Sequence, residues 1–222
     1  MQAAPAPRSV VLAGATGLIG SLMLRALLAD PGIAKVQVLA RRPLGDSHPK
    51  LRVKVVDFGH LPPLEPVDEA YLALGTTIKI AGSQAAFRAV DLIANLEVAT
   101  AAVAAGARRV ALVSAVGAKA DSSVFYNRVK GELEDALKAM TLDALVIAQP
   151  SLLLGDRKAL NQPARFGEEF FAPVMKLISP LLPRQYRPVR GEAVAQSLVT
   201  TLPTARGLVV ISSDELARMG AG

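Results

Sequence analysis

The sequence predicts an α/β protein: a doubly wound, mostly parallel sheet followed by a small helical and loop-rich C-terminal subdomain. Three observations predict it. Through residues 9–150, apolar runs of strand length alternate with segments of helical period. A loop with glycine at every third position joins the first run to the first helix, and Pro163, Pro173, Pro180, Pro183 and Pro188 break up the final third. The chain has 222 residues, 51% of them apolar and 20% charged, enough for one substantial core. It contains no cysteine, which removes a disulfide framework or a thiolate metal site. We read residues 1–8 as a flexible tail, 9–150 as the sheet core and 151–222 as the subdomain packed on it, one compact domain in all.

The elements follow in order. Val10 to Ala13 is a continuous apolar run, as a strand buried on both faces requires. Leu18, Leu22, Leu24, Leu27 and Leu28 give helical spacing until Asp30-Pro31-Gly32 stops it. Lys35 to Ala40, Leu51 to Val56 and Ala70 to Leu74 are the second, third and fourth strands. A long helix is expected over Gln84 to Ala105, ended by Gly106, and then a fifth strand over Arg109 to Ser114. Ser122 or Ser123 caps a helix running through Tyr126 and Lys130 to about Met140, with Glu132, Glu134 and Asp135 on its wet side, and Ala144 to Ala148 is the sixth strand. Gly191 to Leu202 reads as a helix and Gly207 to Ile211 as a short strand.

The charge is uneven. The net charge of +6 is held entirely by residues 1–54, with eight basic side chains against two acidic ones, while the remainder sums to zero. The excess is concentrated from Arg41 to Lys54, which points to a local anionic partner and away from a nucleic-acid-coating surface. No stretch is long and apolar enough for a membrane span, since the alanine-rich segment from Ala94 to Ala118 contains Glu97, Arg108 and Arg109. The N-terminus has no apolar h-region, so the expected compartment is the cytoplasm. His48 and His60 are isolated and read as surface residues, so no metal is expected.

Gly14, Gly17 and Gly20 have G-x-x-G-x-x-G spacing between a buried strand and a helix, with Thr16, Leu18 and Ile19 in the same turn. Glycines there let a pyrophosphate approach backbone amides at the positive end of the helix. The second strand ends Arg41-Arg42 where an NAD-specific chain usually has a carboxylate. Two guanidiniums at that place suit a 2′-phosphate, unless they are simply solvated. NADPH is therefore the expected cofactor, with NADH the lesser choice. Asp57 and Phe58 follow the third strand, where they would meet the adenine or form a turn. Gly75, Thr76 and Thr77 follow the fourth, where they would line the cofactor or form a plain turn.

Tyr126 and Lys130 stand one helical turn apart, and an adjacent cation favours a phenolate useful in proton transfer. Ser114, at the end of the fifth strand, would present its hydroxyl to the same crevice. The segments GATGLIG, LGTT, VSAVGAKADSSVFYNRVKGE and QPSLLLGDR resemble, in that order, the atypical short-chain dehydrogenase/reductases, and most of all the subgroup typified by the human Tat-interacting protein. The resemblance spans roughly residues 9–200 and implies a Rossmann-type fold that binds NADPH. It implies Tyr126 as proton donor or acceptor, Lys130 on the nicotinamide ribose, Ser114 as the group that polarises substrate, and Pro150 and Ser151 beside the nicotinamide. Two places depart from the family pattern: Ala115 stands where a second serine is common, with Ser123 a possible substitute for it, and Gln149-Pro150-Ser151 stands where Arg-Pro-Gly is usual.

The expected function is NADPH-dependent oxidation or reduction of a small carbonyl or alcohol. The alternative is an NADPH-binding regulatory or scaffold protein with little turnover. A nucleotide-sugar epimerase is disfavoured by the short segment after the sixth strand. A small-molecule substrate is expected, with neither nucleic acid nor membrane as partner, and a homodimer or a protein partner is compatible with the sequence. Phe166, Phe170 and Phe171 are expected to pack the subdomain. Arg184, Arg187 and Arg190 form a basic loop or hold an anionic substrate.

Overall fold

A computed structural model describes residues 6–154 and 188–220. Seven strands form one sheet: β1 (Arg8–Ala13), β2 (Ile33–Ala40), β3 (Leu51–Val55), β4 (Glu69–Leu72), β5 (Arg109–Val113), β6 (Ala144–Gln149) and β9 (Gly207–Ser212). Their order is β3-β2-β1-β4-β5-β6-β9 and every pairing is parallel. Two short strands, β7 (Leu153–Leu154) and β8 (Val189–Arg190), pair separately beside it.

A parallel sheet must be covered on both faces, and the alternation of side chains along β1 shows how this one is. Val10 and Leu12 point into one apolar cluster with α1 (Leu18–Ala29) and α6 (Gly191–Thr201). Val11 and Ala13 point into a second cluster with α4 (Asn95–Ala104) and α5 (Phe125–Lys138). Gly191 lets α6 lie close on α1, since a Cβ there would stand 3.1 Å from Leu22. The final helix, α7 (Ser213–Met219), is held by a capping box between Ser212 and Glu215.

The long helix expected over 84–105 is present in three parts. α3 (Gln84–Arg88) leads into a π-helical turn (Ala89–Ala94), which leads into α4. The chain leaves α4 through Gly106 at φ +106°. A further short helix, α2 (Ile78–Ala81), follows β4 and is capped by the Thr77 side chain. The serine cap expected for α5 is not formed: the helix begins at Phe125 after Val124, which supplies no side-chain cap, and the Ser122 hydroxyl instead accepts from the Val124 amide. Among the described residues, no helix is long and apolar enough to cross a membrane. Asp156, Arg157, Phe166, Phe170, Phe171, Arg184 and Arg187 lie outside the described residues.

The amino edge of the sheet is pinned by a buried acid. Glu69 is fully buried, with one carboxylate oxygen accepting from the Arg8 guanidinium at 2.5 Å and the other from the Tyr71 hydroxyl at 2.9 Å. Arg8 also pairs with Asp30 at the end of α1 at 2.8 Å, so one network joins β1, α1 and β4. Burial, reinforced by the Glu69 charge, pushes the Tyr71 phenol well above its ordinary value of 10. A phenol that stays protonated in the fold but ionises near 10 when unfolded supports the fold fully below that pH and less as pH rises above it. Urea unfolding should therefore show stability falling above about pH 10. Tyr71→Phe should flatten that alkaline limb while costing about 1–3 kcal/mol at neutral pH, from the lost bond to a charged acceptor.

Candidate active site at the carboxyl edge of the sheet

The chain leaving β1 turns to one face of the sheet and the chain leaving β4 to the other, so a crevice opens between these neighbouring strands at their carboxyl ends. The glycine turn sits in it. Gly14 adopts φ +93°, and a Cβ there would lie 2.3 Å from the Ala73 carbonyl oxygen at the end of β4. A Cβ at Gly20 would lie 2.0 Å from the Gly14 carbonyl oxygen, which accepts from the Gly17 amide at 2.9 Å. Gly17 begins α1 without a side-chain cap, so the first amides of α1, at Leu18, Ile19 and Gly20, have no acceptor within the helix. Thr16 is exposed at the tip of the turn.

The basic run sorts itself by partner. Lys50 donates to the Asp30 carbonyl, Arg52 to the carbonyls of Pro49 and Leu51, and Lys54 pairs with Glu65 at 3.3 Å. Arg41 and Arg42, directly after β2, are exposed and make no ion pair or hydrogen bond among the described residues. The donors on this side of the crevice are thus uncapped helix amides and two unengaged guanidiniums, a set chemically suited to a pyrophosphate and a further phosphate. Asp57 is engaged in its own turn, accepting from the Gly59 amide at 2.9 Å and facing His60 at 3.4 Å, and the Gly59 bond is the main cause holding its carboxyl below the usual range. Phe58 packs against the second core cluster.

Past β4, the Thr76 amide donates to Asp91 Oδ2 at 2.8 Å, and Asp91 Oδ1 lies 2.7 Å from Lys130 Nζ. Both side chains of this ion pair are buried, 1% and 5% exposed, beneath the exposed Gly75. Tyr126 is half-buried one turn before Lys130, its ring tilted on Phe87 at 5.6 Å, and its hydroxyl makes no hydrogen bond among the described residues. The line therefore runs from Gly14 to Ala73 by close approach, along the chain to Thr76, and through Asp91 to the helix that carries Lys130 and Tyr126.

Ser114 is buried and donates its hydroxyl proton to Glu134 Oε1 at 2.5 Å. Glu134, on the same helical stripe as Tyr126 and Lys130, is 3% exposed and also accepts from Gln149 Nε2 at 2.9 and 3.1 Å. Gln149 thus supplies neutral donors to a buried carboxylate. The Pro150 carbonyl accepts from the Val116 amide at 2.9 Å, and the Ser151 amide donates to Ser213 Oγ at 3.2 Å, which ties the end of β6 to α7. Ser123 is exposed, and its carbonyl lies 3.5 Å from Arg128. Glu134, expected on the wet side of its helix, is buried instead because Ser114 and Gln149 donate to its carboxylate, and Asp91 was not singled out from the sequence. Glu134 continues the stripe 126, 130, 134, whereas nothing local marks Asp91.

No family model matches the sequence. Among solved structures, the chain is similar to an oxidoreductase of the short-chain dehydrogenase/reductase family from Burkholderia thailandensis, with a TM-score of 0.67, 20% identity, and 95% of this chain and 93% of that one covered. It is also similar to DesIV, a dTDP-glucose 4,6-dehydratase from Streptomyces venezuelae with NAD and TYD bound, with a TM-score of 0.67, 18% identity, and 92% and 76% covered. These likenesses show the fold alone, a doubly wound parallel sheet of the Rossmann type. Among curated sequences, it is 33% identical over 174 residues to the mitochondrial protein fmp52 of Emericella nidulans, covering 74% of each chain. It is 37% identical over 170 residues to the mitochondrial protein fmp52-1 of Aspergillus terreus, covering 71% of this chain and 73% of that one. The expectation of a cytoplasmic protein is corrected by these names, both of which are designated mitochondrial. The missing h-region spoke only against the secretory route and carried no information about an organelle. On this identity and coverage, the chain belongs to the FMP52 family.

Proposed function

We propose that the chain is an NADPH-dependent oxidoreductase of the atypical short-chain dehydrogenase/reductase type, acting on a small carbonyl or alcohol. The observation that carries this reading is the line along the carboxyl edge, by close approach, chain and polar contact, from the Gly17 N-cap, which has no side-chain cap, to the helix bearing Lys130 and Tyr126. The NAD named in the DesIV structure supports a nicotinamide cofactor. The resemblance to the Tat-interacting-protein subgroup and the two unengaged guanidiniums support NADPH. The designation of the FMP52 relatives supports a mitochondrial setting.

In this reading the amides of the Gly14–Gly20 turn and α1 hold the pyrophosphate, and Arg41 and Arg42 hold the 2′-phosphate. Gly75, Thr76 and Thr77 line the crevice, with Pro150 and Ser151 at its far side. Lys130 binds the nicotinamide ribose, and Tyr126 Oη passes a proton to or from the substrate oxygen. The bound cofactor supplies or accepts the hydride. A second reading, a cofactor-binding regulatory or scaffold protein, is favoured by one observation: the Ser114 hydroxyl proton is already given to Glu134, so it is not available to polarise a carbonyl.

Arg41→Ala together with Arg42→Ala should weaken NADPH binding about 10- to 100-fold, as expected for lost charge-assisted bonds, and leave NADH affinity unchanged. Calorimetric titration with both dinucleotides checks this, and equal affinity of the parent protein for the two would remove the arginine assignment. Tyr126→Phe should lower turnover by roughly 100-fold or more with NADPH affinity retained. The measurement is NADPH oxidation against panels of aldehydes, ketones and quinones, and undiminished turnover would take Tyr126 out of its role. No turnover on any panel, with a partner captured only in the presence of NADPH, would favour the second reading.

A further inference from the structure

We infer that Asp91 is a positioning residue of the site, holding the Lys130 ammonium and the Thr76 amide on one carboxylate so that the lysine is set against the loop lining the cofactor. The inference rests on the cofactor reading above. Asp91 sits in a defect of its helix. The π-turn at Ala89–Ala94 interrupts the i to i+4 ladder between α3 and α4, a feature that recurs at functional sites because it costs regular hydrogen bonding. Here that cost is offset by a dedicated side chain. The fully buried Asn95 donates its amide to the carbonyls of Leu74, Val90 and Asp91 at 3.1, 3.3 and 3.1 Å, which fastens the turn to the end of β4.

The turn delivers Asp91 to the underside of the crevice, where each carboxylate oxygen has its own charge or dipole to face. Oδ2 accepts from the Thr76 amide and Oδ1 lies against Lys130 Nζ. An ion pair this deep is a weak source of stability compared with apolar packing, so its place beside the site is the more informative fact. The contact with Asp91 is the one polar contact Lys130 makes among the described residues, so its other N–H groups are unspent. Gly75 leaves the space next to them open: a Cβ there would stand 3.5 Å from Asp91 Oδ1 and 3.9 Å from Lys130 Nζ. An ammonium fixed from below, with donors remaining and a glycine beside it, is prepared for the hydroxyls of a ribose.

An asparagine at position 91 would have a single oxygen for two donors, and its amide N–H groups would face either an ammonium or an amide. The test is calorimetric titration of the parent, D91N, D91E, K130M and D91N/K130M with two ligands, NADPH and adenosine 2′,5′-bisphosphate, the second of which lacks the nicotinamide ribose. D91N should weaken NADPH binding roughly tenfold or more and leave the bisphosphate unchanged, with D91E restoring part of the loss. The double variant should bind NADPH no more weakly than K130M alone, because Asp91 acts through Lys130. Equal loss for both ligands, undiminished NADPH affinity in D91N, or losses that add in the double variant would overturn the inference. If D91N does not fold, the parent, D91E and K130M give the same decision: K130M must lose NADPH selectively and D91E must fall between it and the parent. A parent protein that binds neither ligand would remove the cofactor reading, and this inference with it.

Discussion

Two carbon atoms have no room at the turn after β1. A Cβ on Gly14 would overlap the Ala73 carbonyl, and one on Gly20 would overlap the Gly14 carbonyl, so the loop packs backbone on backbone. That contact does two things at once. It sets the start of α1 against the end of β4, at the place where the chain divides between the two faces of the sheet. It also places Gly17, which has no side chain to accept, at the N-cap, so the first amides of α1 lie outside the helix's own hydrogen-bond ladder. The location of the crevice, and the reach from the glycine turn to Thr76 and Asp91, follow from this single close approach.

Among the described residues, three acids are buried. Glu69 anchors the amino edge, where Arg8 and Tyr71 satisfy it and nothing in the proposed chemistry comes near. Asp91 and Glu134 stand at the carboxyl edge, each in contact with a residue that the family resemblance marks as functional, Lys130 and Ser114 respectively. Buried carboxylates are costly unless partnered, and here the one on β4 and the two on helices packed against the sheet each face a cation or a hydrogen-bond donor. The two ends differ in kind: the amino-edge network spans three elements of the core, whereas the carboxyl-edge networks converge on α5.

Much of the fold could be read from local pattern. The run Val10 to Ala13 is apolar on both faces because both faces are covered, and the helix ending at Gly106 was marked by the one residue type that leaves easily through a positive φ. Features created by tertiary contact could not be read in this way. The π-turn depends on Asn95 reaching the end of β4, and α5 starts without its expected serine cap because Ser122 folds back on its own loop. Within the site, the glycine spacing located the turn and the basic run located the arginines, but only the folded chain distinguishes Arg41 and Arg42 from neighbours that already have partners. Asp91 lies 39 residues before Lys130 in the chain, beyond the range of any periodicity. Compartment was not legible at all.

The last strand to join the sheet also sets the order in which the sheet can be finished. β9 pairs along the whole of β6, yet residues 150–206 separate them. During synthesis β6 is complete, with Ala144 to Ala148 all destined for burial, long before its outer neighbour leaves the ribosome. At about 5–20 residues per second the nascent chain would carry an unpaired apolar edge for several seconds. Chaperone capture, or misassembly between neighbouring nascent chains, would act in that interval on the Ala144–Gln149 segment.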